Sequence, residues 1–294
     1  MPLTRPRTPA VAAIAAASAV LIAIAGCGGS SGSGASTSTA AAAHARAKAK
    51  HRTAVRHRTV PALIPPGNAP THSVTVPVLT YHRVVSLPAV GQLDLIVDPG
   101  NLMAELQAIH AGGYHTITQA QLFDALYKHG TLPPKPIIIS VDDGYVDDVR
   151  TILPDLKRMH MVATFFVITG RTTEPGFVTA AQIRELDHAG MDVGDHTAHH
   201  VDLRAITPSE LEMETSGSRK VLERILGHPV YAFAYPFGAY NDAVIAAVKR
   251  AGFTLAYTTD SGSTESTSAP LTMPRIHVGR AETPSGVVGL LGGQ

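Results

Sequence analysis

Residues 136–141 read Pro-Ile-Ile-Ile-Ser-Val, and the run ends directly in Asp142-Asp143-Gly144. A strand with one wet face alternates apolar and polar residues. A run without alternation belongs to a strand covered on both faces, the environment of a parallel sheet wrapped by helices. Its neighbours agree. Residues 74–84 are β-rich, and strand-like stretches recur at 163–168, 191–194, 230–235, 253–258 and 273–278. Segments of helical spacing separate them: 101–111 stops at Gly112-Gly113, and Thr118 opens a helix reaching Lys128, which Gly130 ends. Thr207-Pro208-Ser209-Glu210 combines an N-cap, a Pro at the first position and a capping-box Glu, and predicts a helix to Leu226 with Gly227 behind it.

Strands that alternate with helices pair in parallel. About seven such units in roughly 220 residues predict an α/β fold, a distorted or incomplete (β/α) barrel with about seven parallel strands. Chemistry in such barrels collects where the strands end.

The first 71 residues read differently. Arg5 and Arg7 precede an apolar or small-residue run of 15 residues, 11–25, and Ile24-Ala25-Gly26-Cys27 follows. A spanning helix needs ~20 apolar residues, so the run suits a signal peptide better than a permanent anchor. The small-small-Cys ending resembles a bacterial lipobox. Residues 1–27 are therefore expected to be a lipoprotein signal peptide with Cys27 lipidated, exporting the chain to the outer face of a bacterial cell membrane. Residues 28–71 form the expected tether. Residues 28–43 are almost all Gly, Ser, Ala and Thr, and 44–58 carry Arg46, Lys48, Lys50, Arg52, Arg56 and Arg58. The basic part suits anionic lipid or wall polymer, or serves as an extended spacer. The folded domain is expected over 72–294.

Residues 1–93 hold nine of the 24 Lys+Arg and none of the 23 Asp+Glu, and from Asp94 onward the balance is 15 against 23, a net −8. Such an acidic body argues against nucleic acid as a partner. Cys27 is the single cysteine. It excludes an intramolecular disulfide and leaves only nitrogen and oxygen to hold any metal.

Four clusters at strand ends carry chemistry. Asp142 and Asp143 end a buried strand, where a cation compensates one carboxylate and shifts the other's proton affinity; a helix cap or a turn before Gly144 is the structural reading. His196 and His200 are four apart and share a face if the segment turns helically, with His199 as an alternative at three-residue spacing or a lone surface residue. Two imidazoles and a carboxylate suit a catalytic zinc, and nickel, cobalt or manganese accept the same donors. Ala232 to Gly238 reads A-F-A-Y-P-F-G, a turn whose N–H groups can face an oxyanion. His277 sits in a late apolar strand.

In order, Ser140-Val-Asp-Asp-Gly144, His196-Thr-Ala-His-His200, Phe233-Ala-Tyr-Pro-Phe-Gly238 and His277 resemble the motifs of the polysaccharide deacetylase family (carbohydrate esterase family four). Val78-Leu-Thr-Tyr-His-Arg-Val84 and Gly113-Tyr-His-Thr-Ile117 resemble its poly-N-acetylglucosamine deacetylase branch. The resemblance implies that Asp143, His196 and His200 bind a divalent metal, that Asp142 is the general base toward the attacking water, and that His277 is the acid toward the departing amine. The Phe237 or Gly238 N–H would hold the oxyanion. Two departures stand out. Ala234 occupies the place of an Arg that often orients the base, with Asp260 no convincing partner, and the chain has no Trp, which leaves Phe237 or Tyr235 to line the acetyl pocket. The implied activity is hydrolysis of N-acetyl groups on N-acetylglucosamine units of a cell-wall or extracellular polysaccharide. The alternatives are a metal-dependent amidase on another amide and a non-catalytic polysaccharide-binding lipoprotein.

Overall fold

The computed structural model describes residues 59–86 and 93–292. Seven strands form its centre: β1 (Val78–Tyr81), β2 (Pro136–Val141), β3 (Thr164–Val167), β4 (Asp192–Asp195), β5 (Ala232–Ala234), β6 (Leu255–Ser261) and β7 (Met273–His277). Each runs parallel to the next in sequence, and β7 returns to β1 with Ile276 opposite Leu79 and His277 opposite Thr80. The barrel is therefore closed, where the sequence left an incomplete one open. Its distortion is local. A single pair, Asp195 with Phe233, joins β4 to β5, and the β6–β7 register shifts between Tyr257 and Ser261.

Strand alternation divides the core in two. Ile137, Ile139 and Val141 share the outer, helix-facing cluster with Phe165, Val167, Phe233 and Ile276. Ile138 belongs to the inner one with Val78, Phe166, Ala232, Leu255, Tyr257 and Met273. Gly194 makes room there, since a Cβ on it would collide with the Phe166 ring. Outside, capping boxes at Thr118, Thr179 and Thr207 start the helices Gln119–Lys128, Ala180–His188 and Pro208–Glu212. The helix expected from Pro208 to Leu226 is interrupted. A wide π turn, Met213–Gly217, separates Pro208–Glu212 from Ser218–Leu226, and Gly227 at φ 78° caps the end.

The folded unit also begins before His72. Leu63 is 2% exposed and belongs to the inner cluster with Val76, Leu122 and Phe123, and the Thr267 hydroxyl donates to the Pro70 carbonyl at 3.0 Å. The expected tether is thus shorter at its carboxyl end, because one apolar anchor in a Pro-rich stretch is enough to seat it. The expected signal peptide, Cys27 and the basic run to Arg58 lie outside the described residues. Among the described residues no helix is long and apolar enough to cross a membrane.

Ser73–Thr75 pairs antiparallel with Thr264–Ser266 beside the beginnings of the strands. Glu265 there is fully buried, and neither oxygen meets a donor among the described residues. Burial pushes its carboxyl from the ordinary 4.5 up to about 8. The folded chain therefore keeps a proton that the unfolded chain releases. This contribution to stability is complete below the unfolded value and is lost as pH rises toward 8, at up to about 1 kcal/mol per pH unit. Glu265→Gln is expected to flatten the fall in Tm between about pH 5.5 and pH 8. Thermal melts with equal slopes for variant and wild type would rule this out.

Candidate metal centre and active-site cleft

Counting by twos from the inner apolar residues leads four of the strands to a chemical group at the carboxyl end. On β2 the inner face runs Ile138, Ser140, Asp142; on β7 it runs Met273, Arg275, His277. Val78 and Thr80 of β1 lead to His82, and Gly194 of β4 leads to His196. Together these groups line a cleft of about 540 Å³ at the barrel mouth.

Asp143 would face the helices if the strand continued. Instead it takes φ 79°, which ends β2 and turns the carboxylate back over the mouth. Its Oδ1 lies 3.6 Å from Nε2 of His196 and 3.6 Å from Nε2 of His200. The three ligand atoms lie within 4.8 Å of one another. A tetrahedral zinc at ~2.0–2.1 Å from its ligands holds them about 3.3 Å apart, close to this spacing. His196 donates from Nδ1 to the Ala234 carbonyl at 2.8 Å, which leaves the Nε2 lone pair for a metal. Burial lowers the His196 pKa to about 3, against the pull of Asp142, and burial lowers His200 as well. Both rings are therefore neutral donors. Burial, then the charge of Asp142, pushes the Asp143 carboxyl up to about 7. Two neutral imidazoles beside a carboxylate whose ionisation wants a positive charge fit a divalent metal.

Residues 196–200 do not turn helically. Thr197 at φ 69° and His200 at φ 57° take left-handed conformations, so a loop rather than a helix face brings the two rings to 4.8 Å between centroids. Such residues cost ~1–3 kcal/mol each, most for β-branched Thr197. His199 stays outside the ligand set, its Nδ1 donating to Glu214 at 2.6 Å.

Asp142 has a counter-ion that sequence reasoning missed. Arg275 donates from Nη1 to Oδ1 and from Nη2 to Oδ2, both at 2.8 Å, and from Nε to the Thr258 carbonyl at 2.9 Å. Burial by itself would raise the Asp142 carboxyl, but the Arg275 charge overrides it and holds the group well below the usual carboxylate range. The guanidinium absent at position 234 thus arrives from β7. Asp260 instead accepts from Tyr240 and Thr258, at 3.1 Å each. His82 was also missed. It lines the cleft with its ring 5.7 Å edge-on to that of His277, its Nδ1 meets no partner among the described residues, and burial lowers its pKa to about 4. Period two held the signal for both: Arg275 lies two residues before His277, and His82 two after Thr80.

In the turn after β5, the Gly238 N–H donates to the Tyr235 carbonyl at 2.9 Å and is not available to an oxyanion. Gly238 serves packing instead, since a Cβ on it would collide with the Thr259 hydroxyl. Tyr235 is buried and donates its hydroxyl to the Leu271 carbonyl at 2.9 Å, so it contributes wall rather than hydrogen bonds. Phe237 is 62% exposed, with its ring 4.6 Å from that of His200.

A family model described as polysaccharide deacetylase matches residues 129–256. YxkH of Bacillus subtilis (strain 168), named for polysaccharide deacetylation, is 27% identical over 203 residues, 69% of this chain and 71% of that protein. A Bacillus anthracis structure carrying the same kind of name is 30% identical at TM-score 0.67, covering 74% of this chain and 69% of that one. The deacetylase PplD of Streptococcus pyogenes, solved in complex with acetate, is 29% identical at TM-score 0.69, covering 75% of this chain and 99% of that one. The chain belongs to the polysaccharide deacetylase family.

The ion pair of Arg275 and Asp142 is buried, both side chains 3% exposed. Removing one partner leaves the other charge uncompensated, a loss of about 3–5 kcal/mol. Arg275→Ala is expected to lower unfolding free energy by that amount in urea titrations. The Asp142 carboxyl is depressed, so the pair's contribution is present above the ordinary carboxylate pKa and fades only as pH falls below it. A variant matching wild type at neutral pH would contradict this role.

Proposed function

We propose that this chain is a metal-dependent hydrolase that removes N-acetyl groups from N-acetylglucosamine residues of a cell-wall or extracellular polysaccharide. One observation carries the reading: the inner face of one barrel delivers Asp142, His196 and His277 to the same cleft, and a left-handed turn adds Asp143. A more distant relative, the poly-beta-1,6-N-acetyl-D-glucosamine N-deacetylase of Staphylococcus aureus, supports the substrate class. It is 23% identical over 163 residues, and the chain spans 56% of its length. The acetate bound to PplD is the small product that such a reaction releases.

Asp143, His196 and His200 hold the metal, zinc first among zinc, nickel, cobalt and manganese. When bound, it supplies Lewis acidity toward water and toward the acetamide carbonyl. Asp142 accepts the proton of the attacking water. Arg275 fixes that carboxylate by both oxygens and holds it in the ionised form that can accept a proton. The Phe237 N–H is the remaining donor of its turn for the developing oxyanion. His277 gives a proton to the leaving nitrogen, without which an amide anion would have to depart. The Phe237 face offers a sugar ring an apolar platform at the mouth. By contrast, guanidinium groups already cover the opposite aromatic pair: Arg83 lies 4.7 Å over Tyr145, Arg171 lies 4.9 Å over Phe177, and the two rings stack at 4.9 Å.

Acetate release from peptidoglycan, chitin oligomers and poly-N-acetylglucosamine, measured side by side, tests the reading. Activity is expected on at least one polymer, with loss on chelation. Asp142→Asn is expected to keep metal and lose about 10²–10⁴-fold in kcat. A variant with undiminished kcat would remove Asp142 as the base, and acetate release from no polymer would favour a binding protein.

Export and lipid anchoring belong to this proposal. They rest on the run 11–25, Cys27 and the basic residues 44–58, which together suit a catalytic domain held at the outer membrane face near an anionic wall. Cys27→Ala is expected to move the protein from the membrane fraction to the soluble one. An unchanged distribution would point to an uncleaved apolar anchor instead.

A further inference from the structure

The loop that carries His196 and His200 has every N–H accounted for, and the accounting singles out one side chain. His196 N–H donates to the Val167 carbonyl at 3.0 Å, and Thr197 N–H to Asp195 Oδ1 at 2.7 Å. His200 N–H donates to the Thr197 hydroxyl at 2.9 Å. The two between them share one acceptor. Ala198 N–H and His199 N–H both donate to Oε2 of Glu214, at 3.0 and 2.8 Å, while Oε1 takes Nδ1 of His199 at 2.6 Å.

Glu214 is 3% exposed although its neighbour Met213 is 51% exposed. It stands in the π turn Met213–Gly217, and Ser218, just after that turn, donates to Asp195 Oδ1 at 2.9 Å. The widened turn thus directs two side chains, four residues apart, at one loop. Turns of this kind disrupt a helix and are frequent at functional sites. From the other side, Thr169 N–H and Gly170 N–H donate to the Thr197 and Ala198 carbonyls at 3.0 and 2.9 Å. Gly170 allows this approach, since a Cβ there would collide with the Ala198 carbonyl.

We propose that Glu214 is a positioning residue for the metal centre: the π turn presents its carboxylate to Ala198 and His199, which holds the left-handed His200 in place to bind. It touches neither substrate nor metal and acts through the loop. The inference rests on the metal reading of Asp143, His196 and His200. A purely structural Glu214 would stabilise the metal-free fold and leave affinity in the folded protein unchanged.

Zinc affinity of the full chain, measured by competition with a chromogenic chelator, separates the two, with melts of the metal-free protein alongside. Glu214→Gln removes the charge and replaces one of the two acceptor oxygens by an amide NH2, and is expected to weaken zinc about 10-fold. The visible spectrum of the cobalt-loaded variant should shift as His200 moves. His199→Ala removes only the ring arm and should change affinity by less than about 3-fold. If Glu214→Gln does not fold, Glu214→Asp keeps the charge, shortens the reach and gives the same readouts. Folded variants that bind zinc and absorb like wild type would overturn the role of Glu214. A wild-type chain that takes up none of zinc, cobalt, nickel and manganese would overturn the metal reading with it.

Discussion

The bidentate pair between Asp142 and Arg275 is the interaction on which the cleft depends. A carboxylate inside a barrel, away from water, cannot stay ionised without a compensating charge. Arg275 supplies that charge and is itself held by the Thr258 carbonyl, with its guanidinium 5.8 Å from the Phe166 ring centre. With Asp142 settled, the second carboxylate beside it has no guanidinium bonded to it among the described residues, and the charges of Arg171 and Arg275 offset its burial only in part. Asp143 is left to hold either a proton or a cation. One barrel mouth thus contains two adjacent acids whose proton affinities are pushed in opposite directions, because Arg275 bonds just one of them.

The second constraint is conformational. Asp143, Thr197, His200 and Phe237 all hold left-handed backbones around the cleft. Such conformations persist only where surrounding bonds over-determine them. The loop of residues 195–200 is gripped by backbone donors of the turn after β3 and from the interrupted helix by Ser218 and Glu214. The barrel keeps the inner face rigid, and the loops use that rigidity to hold shapes that they would not adopt alone.

Much of the fold was legible along the chain because it rests on local signals. The unbroken run 136–141, the capping boxes and the terminal glycines mark elements by short-range physics. The order of strands followed from their alternation with helices. Closure did not, because it depends on a short pairing between β1 and β7 across most of the domain. The site divides in the same way. The acidic pair and the histidine spacing were readable, as was the strand carrying His277. Arg275 was hidden behind its partner's distance, 133 residues away. The π turn was hidden because its sequence, Met-Glu-Thr-Ser-Gly, holds no Pro and no side-chain cap that would part the two helices. The Gly238 N–H was misjudged because only the folded turn shows that Tyr235 already takes it.

Closure by the last strand has a consequence for the order in which the chain becomes competent. β7 brings both Arg275 and His277, and it can do so only after almost the whole domain has emerged from synthesis. A nascent chain that already carries Asp143, His196 and His200 still lacks both the strand that closes the barrel and the partner of Asp142. The cleft is therefore assembled only once the last strand is in place. For a chain that crosses a membrane unfolded, such an arrangement would keep the reaction silent until the domain is complete on the far side.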